Sequence, residues 1–427
     1  MSNFSANPGD LVEVHLSKVI YEGILLESSK SESKIVLLKL GTGYNIGLNK
    51  KDILKIKVIK KRKKEEKQAE FHKQSEKPNV AMVITGGTIA SKYDPLTGGV
   101  KWLTDPENLF RFYPELFDRV NVSKVEVPFM KGSENMDFKD WKKIANIVEK
   151  FLNDSSIKGV IVTQGTDTLH YTSSALSFFL GRVNKPVVLT YSQRSIDRAS
   201  SDAHLNLECS AIAAISDIAE VMVVGHADTN DEFCYAIRGT KVRKMHSSKR
   251  GAFKAINSMP LAKISGENVE ILSSYNLRNK TKVKLDSRFE EKVGLLKFYP
   301  GQDSGILDYY LDKGYKGIVL EVFGLGHVAT KEARKSWTRK IKEVIKKGLV
   351  VCAAPQTIYG RLDPFVYSTG RELLDTGIIY LEDMLAETAF VKLGWVLGHK
   401  EWAKNIETVK EKMLENISGE IGERIEE

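Results

Sequence analysis

Residues 80–91 read VAMVITGGTIAS and residues 160–171 read VIVTQGTDTLHY. Each begins as a short, near-continuous apolar run rich in β-branched side chains, breaks at glycine, and presents threonine just beyond the break. A run of four to six such residues bounded by glycine is the pattern of a strand buried on both faces. Further runs repeat it downstream: PVVLTYS, VMVVG, VGLLKFYPG, KGIVLEVFG and LVVCAAP. Several are separated by helical stretches such as DFKDWKKIANIVEKFL and TRKIKEVIKKG. Apolar strands alternating with amphipathic helices specify an α/β body with parallel sheets covered on both sides.

Outward from this body the pattern changes twice. Between Lys263 and Arg288 the chain turns polar (SGENVEILSS, LRNKTKVKLDSRFEE) before a second strand and helix series starts at Lys292. This divides the body into an α/β domain over 80–265, a connecting segment over 266–291 and a second α/β domain over 292–400. The charged tail, 401–427, is read as a helix. Upstream, LVEVHL, YEGILLES, SKIVLLKL, GYNIGL and ILKIKVIKK alternate with period two between Gly, Ser and Asn turns, which predicts a small antiparallel barrel of the SH3 kind over 1–60. The intervening 61–79 is charged, lacks an apolar face and is read as a linker.

The length of 427 residues is ample for several cores, and 42% apolar with 28% charged residues is the balance of a folded protein. The net charge of +9 is concentrated: residues 51–79 hold ten Lys, one Arg and five acids, so +6 falls there and the body is nearly balanced. That distribution argues for a solvated linker more than for a nucleic-acid surface. No apolar run of about 18 residues occurs and MSNFSANPGD has no signal-peptide character, so the expectation is a cytoplasmic protein with no membrane contact. Cys209, Cys234 and Cys352 show no CxxC spacing and read as reduced thiols.

Ligands of open parallel sheets sit beyond the carboxyl ends of strands. At two such ends this chain places Thr88 after Gly86 and Gly87, and Thr166, Asp167 and Thr168 after Gly165. A hydroxyl beside a helix N-terminus can work where backbone N–H groups stabilise a developing oxyanion. Either segment alone also reads as an ordinary helix cap. A nucleotide loop fits poorly, since there is no GxxxxGK[ST] and no GxGxxG with a distal acid.

Taken together, TGGTIAS at 85–91 and TQGTDT at 163–168 resemble the two signature segments of the bacterial-type L-asparaginase and glutaminase family. Further similarity runs through KGSENMD at 131–137, RGTKVRKMHSS at 238–248 and YSTGRELLDTGIIYLEDMLAETAFVKLGWVLG at 367–398. The resemblance implies amide hydrolysis by a threonine nucleophile, Thr88, with Thr166, Asp167 and Lys244 as a proton relay. It implies substrate binding by Ser133 and, beside it, Glu134. Such a relay is chemically sensible, because a threonine hydroxyl needs a base and a desolvated lysine beside a carboxylate can take part in supplying one. Tyr93, in SKYDPLTGG, lies close to the place of the family's loop tyrosine without a clear match in register, and no catalytic role is assigned to it.

His170, His204, His226 and His327 lie on separate segments without metal-ligand spacing and are read as packing residues, so no metal is assigned. Asp202 and Asn206, in RSIDRASSDAHLNL, are read as local helix or capping residues. The added N-terminal region, with KVRKMHSSKRGAF, resembles the asparaginase-like D subunits of archaeal glutamyl-tRNA(Gln) amidotransferases. That resemblance implies a glutaminase that passes ammonia to an amidotransferase partner, the E-type subunit of the same complex. ATP and magnesium would belong to the partner, tRNA(Gln) would be bound mainly through it, and no cofactor is expected in this chain. It also implies a homodimer. A free-standing L-asparaginase with an accessory barrel, or an RNA-binding adaptor with an inactive body, are the alternatives; intact Thr88, Thr166, Asp167 and Lys244 weigh against the adaptor.

Overall fold

The computed structural model describes residues 6–26, 34–41, 45–61, 77–93, 100–102, 119–196 and 200–424. Most of the expected linker, residues 62–76, lies outside them.

The N-terminal strands β1 (Leu11–His15), β2 (Ile20–Leu26), β3 (Ile35–Leu40), β4 (Asn45–Asn49) and β5 (Lys55–Lys60) form an antiparallel sheet in the order β4-β3-β2-β1-β5. Alternate residues point inward, so Val12, Val14, Leu25, Val36, Leu38, Leu48 and Ile53 make a core of their own. The antiparallel strand content is that expected of a small barrel.

The larger sheet follows from β6 (Asn79–Ile84). A short hairpin, β7 (Ser91–Tyr93) with β8 (Val100–Trp102), precedes β9 (Asn121–Glu126) and helix α1 (Phe138–Leu152). Asp137 caps α1 through the N–H of Lys139 while Asp140 bonds back to the Asp137 N–H, a reciprocal capping box. Then come β10 (Val160–Thr163), α2 (Leu169–Leu180), β11 (Val187–Thr190), α3 (Ala203–Ile215) and β12 (Val221–His226). These strands are parallel in the order β9-β6-β10-β11-β12.

The sheet is not parallel throughout. β13 (Cys234–Arg238) runs antiparallel to β12, and after the two-stranded β14 (Val242–Lys244) and β15 (Phe253–Ala255) the hairpin β16 (Ala262–Ser265) and β17 (Asn268–Ile271) completes the edge. That hairpin straddles residue 265, where the sequence pattern places the end of the first domain. The polar face of β17 is exposed at the sheet edge, so in sequence it has the character of a connector.

Strand residues alternate between two cores. Ala81, Val83, Val160 and Val162 face α1 and α2, whereas Val80, Met82, Ile84 and Ile161 face α3 together with Ile89 and Ala90. The chain therefore leaves β6 toward one face of the sheet and leaves β10 toward the other. Adjacent strands whose connections part in this way form a crevice at their carboxyl ends.

The second sheet is parallel in the order β18 (Val293–Lys297), β19 (Gly317–Val322), β20 (Val350–Pro355), β21 (Ile379–Tyr380), with α4 (Ile306–Asp312), α5 (Thr338–Lys346) and α6 (Ser368–Leu374) between strands. Helix α7 (Ala386–Gly398) is buried almost all round because it lies between this sheet and α2. Phe178 of α2 stacks on Trp395 of α7 at 6.0 Å. The tail is not the single helix expected over 401–427. Helices α8 (Lys400–Ala403) and α9 (Ile406–Leu414) are followed by an irregular strap over 415–424. No helix among the described residues is long and apolar enough to cross a membrane.

Candidate active site

The crevice between β6 and β10 is assembled by backbone approach. Gly86 and Gly87 have φ of +114° and +80°, conformations that side-chain-bearing residues rarely adopt. A Cβ at Gly87 would lie 2.3 Å from the Gly165 nitrogen, and one at Gly86 would lie 2.5 Å from the Lys131 carbonyl oxygen. The Thr85 N–H donates to Thr163 O and the Lys131 N–H to Thr85 O. Three loops, 85–88, 131–134 and 164–167, thus meet, and the residues following the two touching glycines are Thr88 and Thr166.

Lys244 reaches this junction from β14. Its ammonium donates to Thr166 Oγ1 at 2.8 Å and to Asp167 Oδ1 at 2.7 Å. Lys244 is 12% exposed while Asp167 is 63% exposed, so the cation is held in the wall and the carboxylate faces the opening. Ser133 is buried; its Oγ accepts the Asp167 N–H at 3.2 Å and its carbonyl accepts the Thr168 hydroxyl at 2.8 Å. Neither Thr168 nor Asp167 caps α2, whose N-terminus has no side-chain cap. The helix-cap reading of TQGTDT therefore fails: these side chains are spent on Ser133 and Lys244.

Thr88 opens a single 3-10 turn in which the Ala90 N–H donates to Gly87 O and Ser91 Oγ to Thr88 O. Thr88 itself is half-buried. Behind it, the Ile196 N–H donates to Ser91 O, tying the loop to the segment after β11. That segment is anchored by buried Asp202, which accepts the N–H groups of Gln193 and Arg194, and by Asn206, whose amide donates to Tyr191 O. Burial raises the Asp202 pKa and these backbone donors oppose it. Asp202 and Asn206 thus shape the support of the Thr88 turn.

Glu134 is exposed, with its carboxylate folded over Gly132 and accepting from the Asn135 amide at 3.3 Å. It stands at the rim and does not join the network of Ser133, Thr166, Asp167 and Lys244. Gln164 stands inside the TQGTDT segment, but the sequence reading gives it no role. Its buried side-chain amide has no protein partner among the described residues, an arrangement that favours occupation by a polar ligand or water. Residues 94–99 and the side chain of Tyr93 fall outside the described set.

The histidines sit elsewhere. His170 is buried against Tyr171 and Phe253, and burial lowers its pKa to about 4. His226 bonds Asn206 and Asp231, and His327 bonds Thr369. Among the described residues no group of three or more His, Cys, Asp or Glu is placed to hold a metal.

Against known proteins, residues 79–276 match the family described as asparaginase, N-terminal, residues 292–411 the glutaminase/asparaginase C-terminal domain, and residues 6–59 the GatD N-terminal domain. The glutamyl-tRNA(Gln) amidotransferase D subunit of Pyrococcus furiosus is 46% identical over 410 residues, spanning 95% of this chain and 91% of its own. That of Thermococcus kodakarensis is 44% identical over 432 residues, spanning 99% and 96%. This chain belongs to the family of glutamyl-tRNA(Gln) amidotransferase D subunits. The body of this chain is also similar to L-asparaginases: the thermostable L-asparaginase from Thermococcus kodakarensis superposes with a TM-score of 0.71 at 28% identity over 81% of this chain and 99% of that one. L-asparaginase I from Vibrio cholerae gives 0.68 at 27% identity over 81% and 99%.

Proposed function

We propose that this chain is the glutaminase component of a tRNA-dependent amidotransferase, hydrolysing the side-chain amide of glutamine through Thr88. The observation that carries the reading is the Lys244 ammonium bonded at once to Thr166 and Asp167, beside the turn that presents Thr88. In this reaction Thr88 Oγ attacks the amide carbon and its proton enters the Thr166–Lys244–Asp167 relay. The amide nitrogen takes up a proton and leaves as ammonia, giving a glutamyl ester on Thr88. Water then attacks the ester, loses its proton through the same relay, and releases glutamate with Thr88 restored. Ser133 and Glu134 hold the amino-acid head group of the substrate.

Free ammonia in neutral water is mostly ammonium and no nucleophile, so its value depends on transfer to an acceptor. The partner, the E-type subunit, activates Glu-tRNA(Gln) with ATP and magnesium and amidates it to Gln-tRNA(Gln). It makes most of the tRNA contact, and two copies of this chain form a homodimer in the cytoplasm. The match of residues 6–59 to the GatD N-terminal domain favours this reading over a free-standing L-asparaginase. One methylene separates the two substrates, worth only about 1–3 kcal/mol in a pocket. Ammonia release measured with and without the partner, and with and without Glu-tRNA(Gln), tests it. A clear rise when both are added is expected; equal rates in all four conditions, with asparagine the better substrate, would favour the asparaginase.

A further inference from the structure

β14 connects the two α/β units to the relay by alternate contacts. Lys244 bonds Thr166 and Asp167, while its neighbour Arg243 donates through Nε to Glu387 Oε1 at 2.7 Å. Lys241, just before the strand, donates to Asp383 Oδ2 at 2.6 Å, and both partners are at most 2% exposed. Asp383 lies just before α7 and Glu387 in its first turn, in the C-terminal unit. The same helix turn reaches the two elements that flank the relay: Thr388 Oγ1 donates to Thr240 O at 3.0 Å and lies 3.0 Å from Ser174 Oγ of α2, the helix that Thr166 and Asp167 precede. One turn of α7 therefore fixes both the strand that carries Lys244 and the helix that follows its acceptors.

We propose that Arg243 and Glu387 are a positioning pair through which the C-terminal unit sets the place of the Lys244 ammonium over Thr166 and Asp167. A lysine ends in a point charge on four flexible carbons, so its backbone must be held if its ammonium is to meet two acceptors at once. Arg243 is adjacent to Lys244, and its guanidinium meets the Glu387 carboxylate in a partly buried setting, where such a bond is directional. The pair touches no reacting atom. Its effect runs through Lys244, and a small displacement of a relay group is costly in rate. This inference rests on the reading of Lys244 as a relay residue.

The test uses the full chain with Arg243→Gln, Glu387→Gln, the double variant, and the conservative Arg243→Lys. Four quantities are read: kcat for glutamine, KM for glutamine, thermal midpoint, and the rate at which an amine-acylating reagent (acetic anhydride) modifies Lys244, located by peptide mass. The expected result is a kcat lowered about tenfold or more with KM within about twofold in either Gln variant. The double variant should fall no further than the worse single one, Arg243→Lys should recover part of the loss, and Lys244 should acylate severalfold faster once released. An unchanged kcat in folded Arg243→Gln, or an unchanged acylation rate of Lys244, overturns the proposal. If Arg243→Gln does not fold, Glu387→Gln and Arg243→Lys give the same comparison. If the wild-type chain releases no ammonia from glutamine even with the partner and Glu-tRNA(Gln) present, yet Lys244 acylation responds as expected, the positioning role stands and the glutaminase reading fails.

Discussion

Gly87 and Gly165 touch so closely that a single added carbon on Gly87 would sit 2.3 Å from the nitrogen of Gly165. This contact between the ends of two neighbouring parallel strands brings together the backbone just before Thr88 and just before Thr166, although 77 positions lie between the two glycines in the chain. Gly87→Ala must both push the loops apart and hold alanine at a φ of +80°. A stability loss of about 1–3 kcal/mol is expected, with ammonia release falling far more than the folded fraction. Chemical denaturation and an ammonia assay on the same preparation check it, and activity that merely follows the folded fraction would separate the contact from catalysis.

Lys244 gives a sharper division between structure and chemistry. Lys244→Met removes a cation that bonds Thr166 and Asp167, and kcat should drop about a hundredfold or more with little change in KM. Asp167 is largely exposed, so the stability change should stay within about 1 kcal/mol. A shift confined to KM would make Lys244 a binding residue.

His170 predicts a pH dependence of stability. Its pKa is lowered from 6.5 to about 4 by burial, because the charged ring loses its hydration. Between those values the unfolded chain binds a proton that the folded chain does not. Stability contributed by the neutral ring is full above pH 6.5 and is lost as pH falls toward 4, by up to about 3 kcal/mol. Urea unfolding across about pH 4–7 should therefore show a steeper acid loss in the wild type than in His170→Gln; identical slopes would place the ring in a wetter setting.

The C-terminal strap hangs on a buried ion pair. Lys392 of α7 donates to Met413 O and to Glu420 Oε1, and both side chains of the pair are fully buried. Glu420 in turn accepts the N–H groups of Ile417 and Ser418. Glu420→Gln leaves the ammonium without its counter-charge and should cost about 3–5 kcal/mol, whereas Lys392→Met with Glu420→Gln, which removes the unpaired charge and keeps an acceptor for the Ile417 and Ser418 N–H groups, should regain part of that. Denaturant midpoints of the three proteins check the order.

The parts of this molecule that are legible in sequence are those with local signatures. Val80–Ile84 and Val160–Thr163 announce buried strands by composition, and the motif residues Thr166, Asp167 and Lys244 come together in the fold. What escapes depends on distant partners. The strap over 415–424 looks like the end of a charged helix until Lys392 supplies the buried site for Glu420. β17 looks like connector because its outward side chains are polar, and only pairing with β16 makes it a strand. Arg243 and Lys241 stand in the same motif segment as Lys244, yet nothing local marks Glu387 and Asp383, more than 140 positions on, as their partners.

Whether Thr88 carries the acyl group is measured directly by acid quenching of the enzyme during glutamine turnover, followed by peptide mass analysis. A threonine nucleophile at this position leaves a glutamyl ester on the peptide containing Thr88, absent in Thr88→Ala and accumulating when deacylation is slowed. Turnover in Thr88→Ala at the wild-type rate, or an ester located on Thr166, would contradict it.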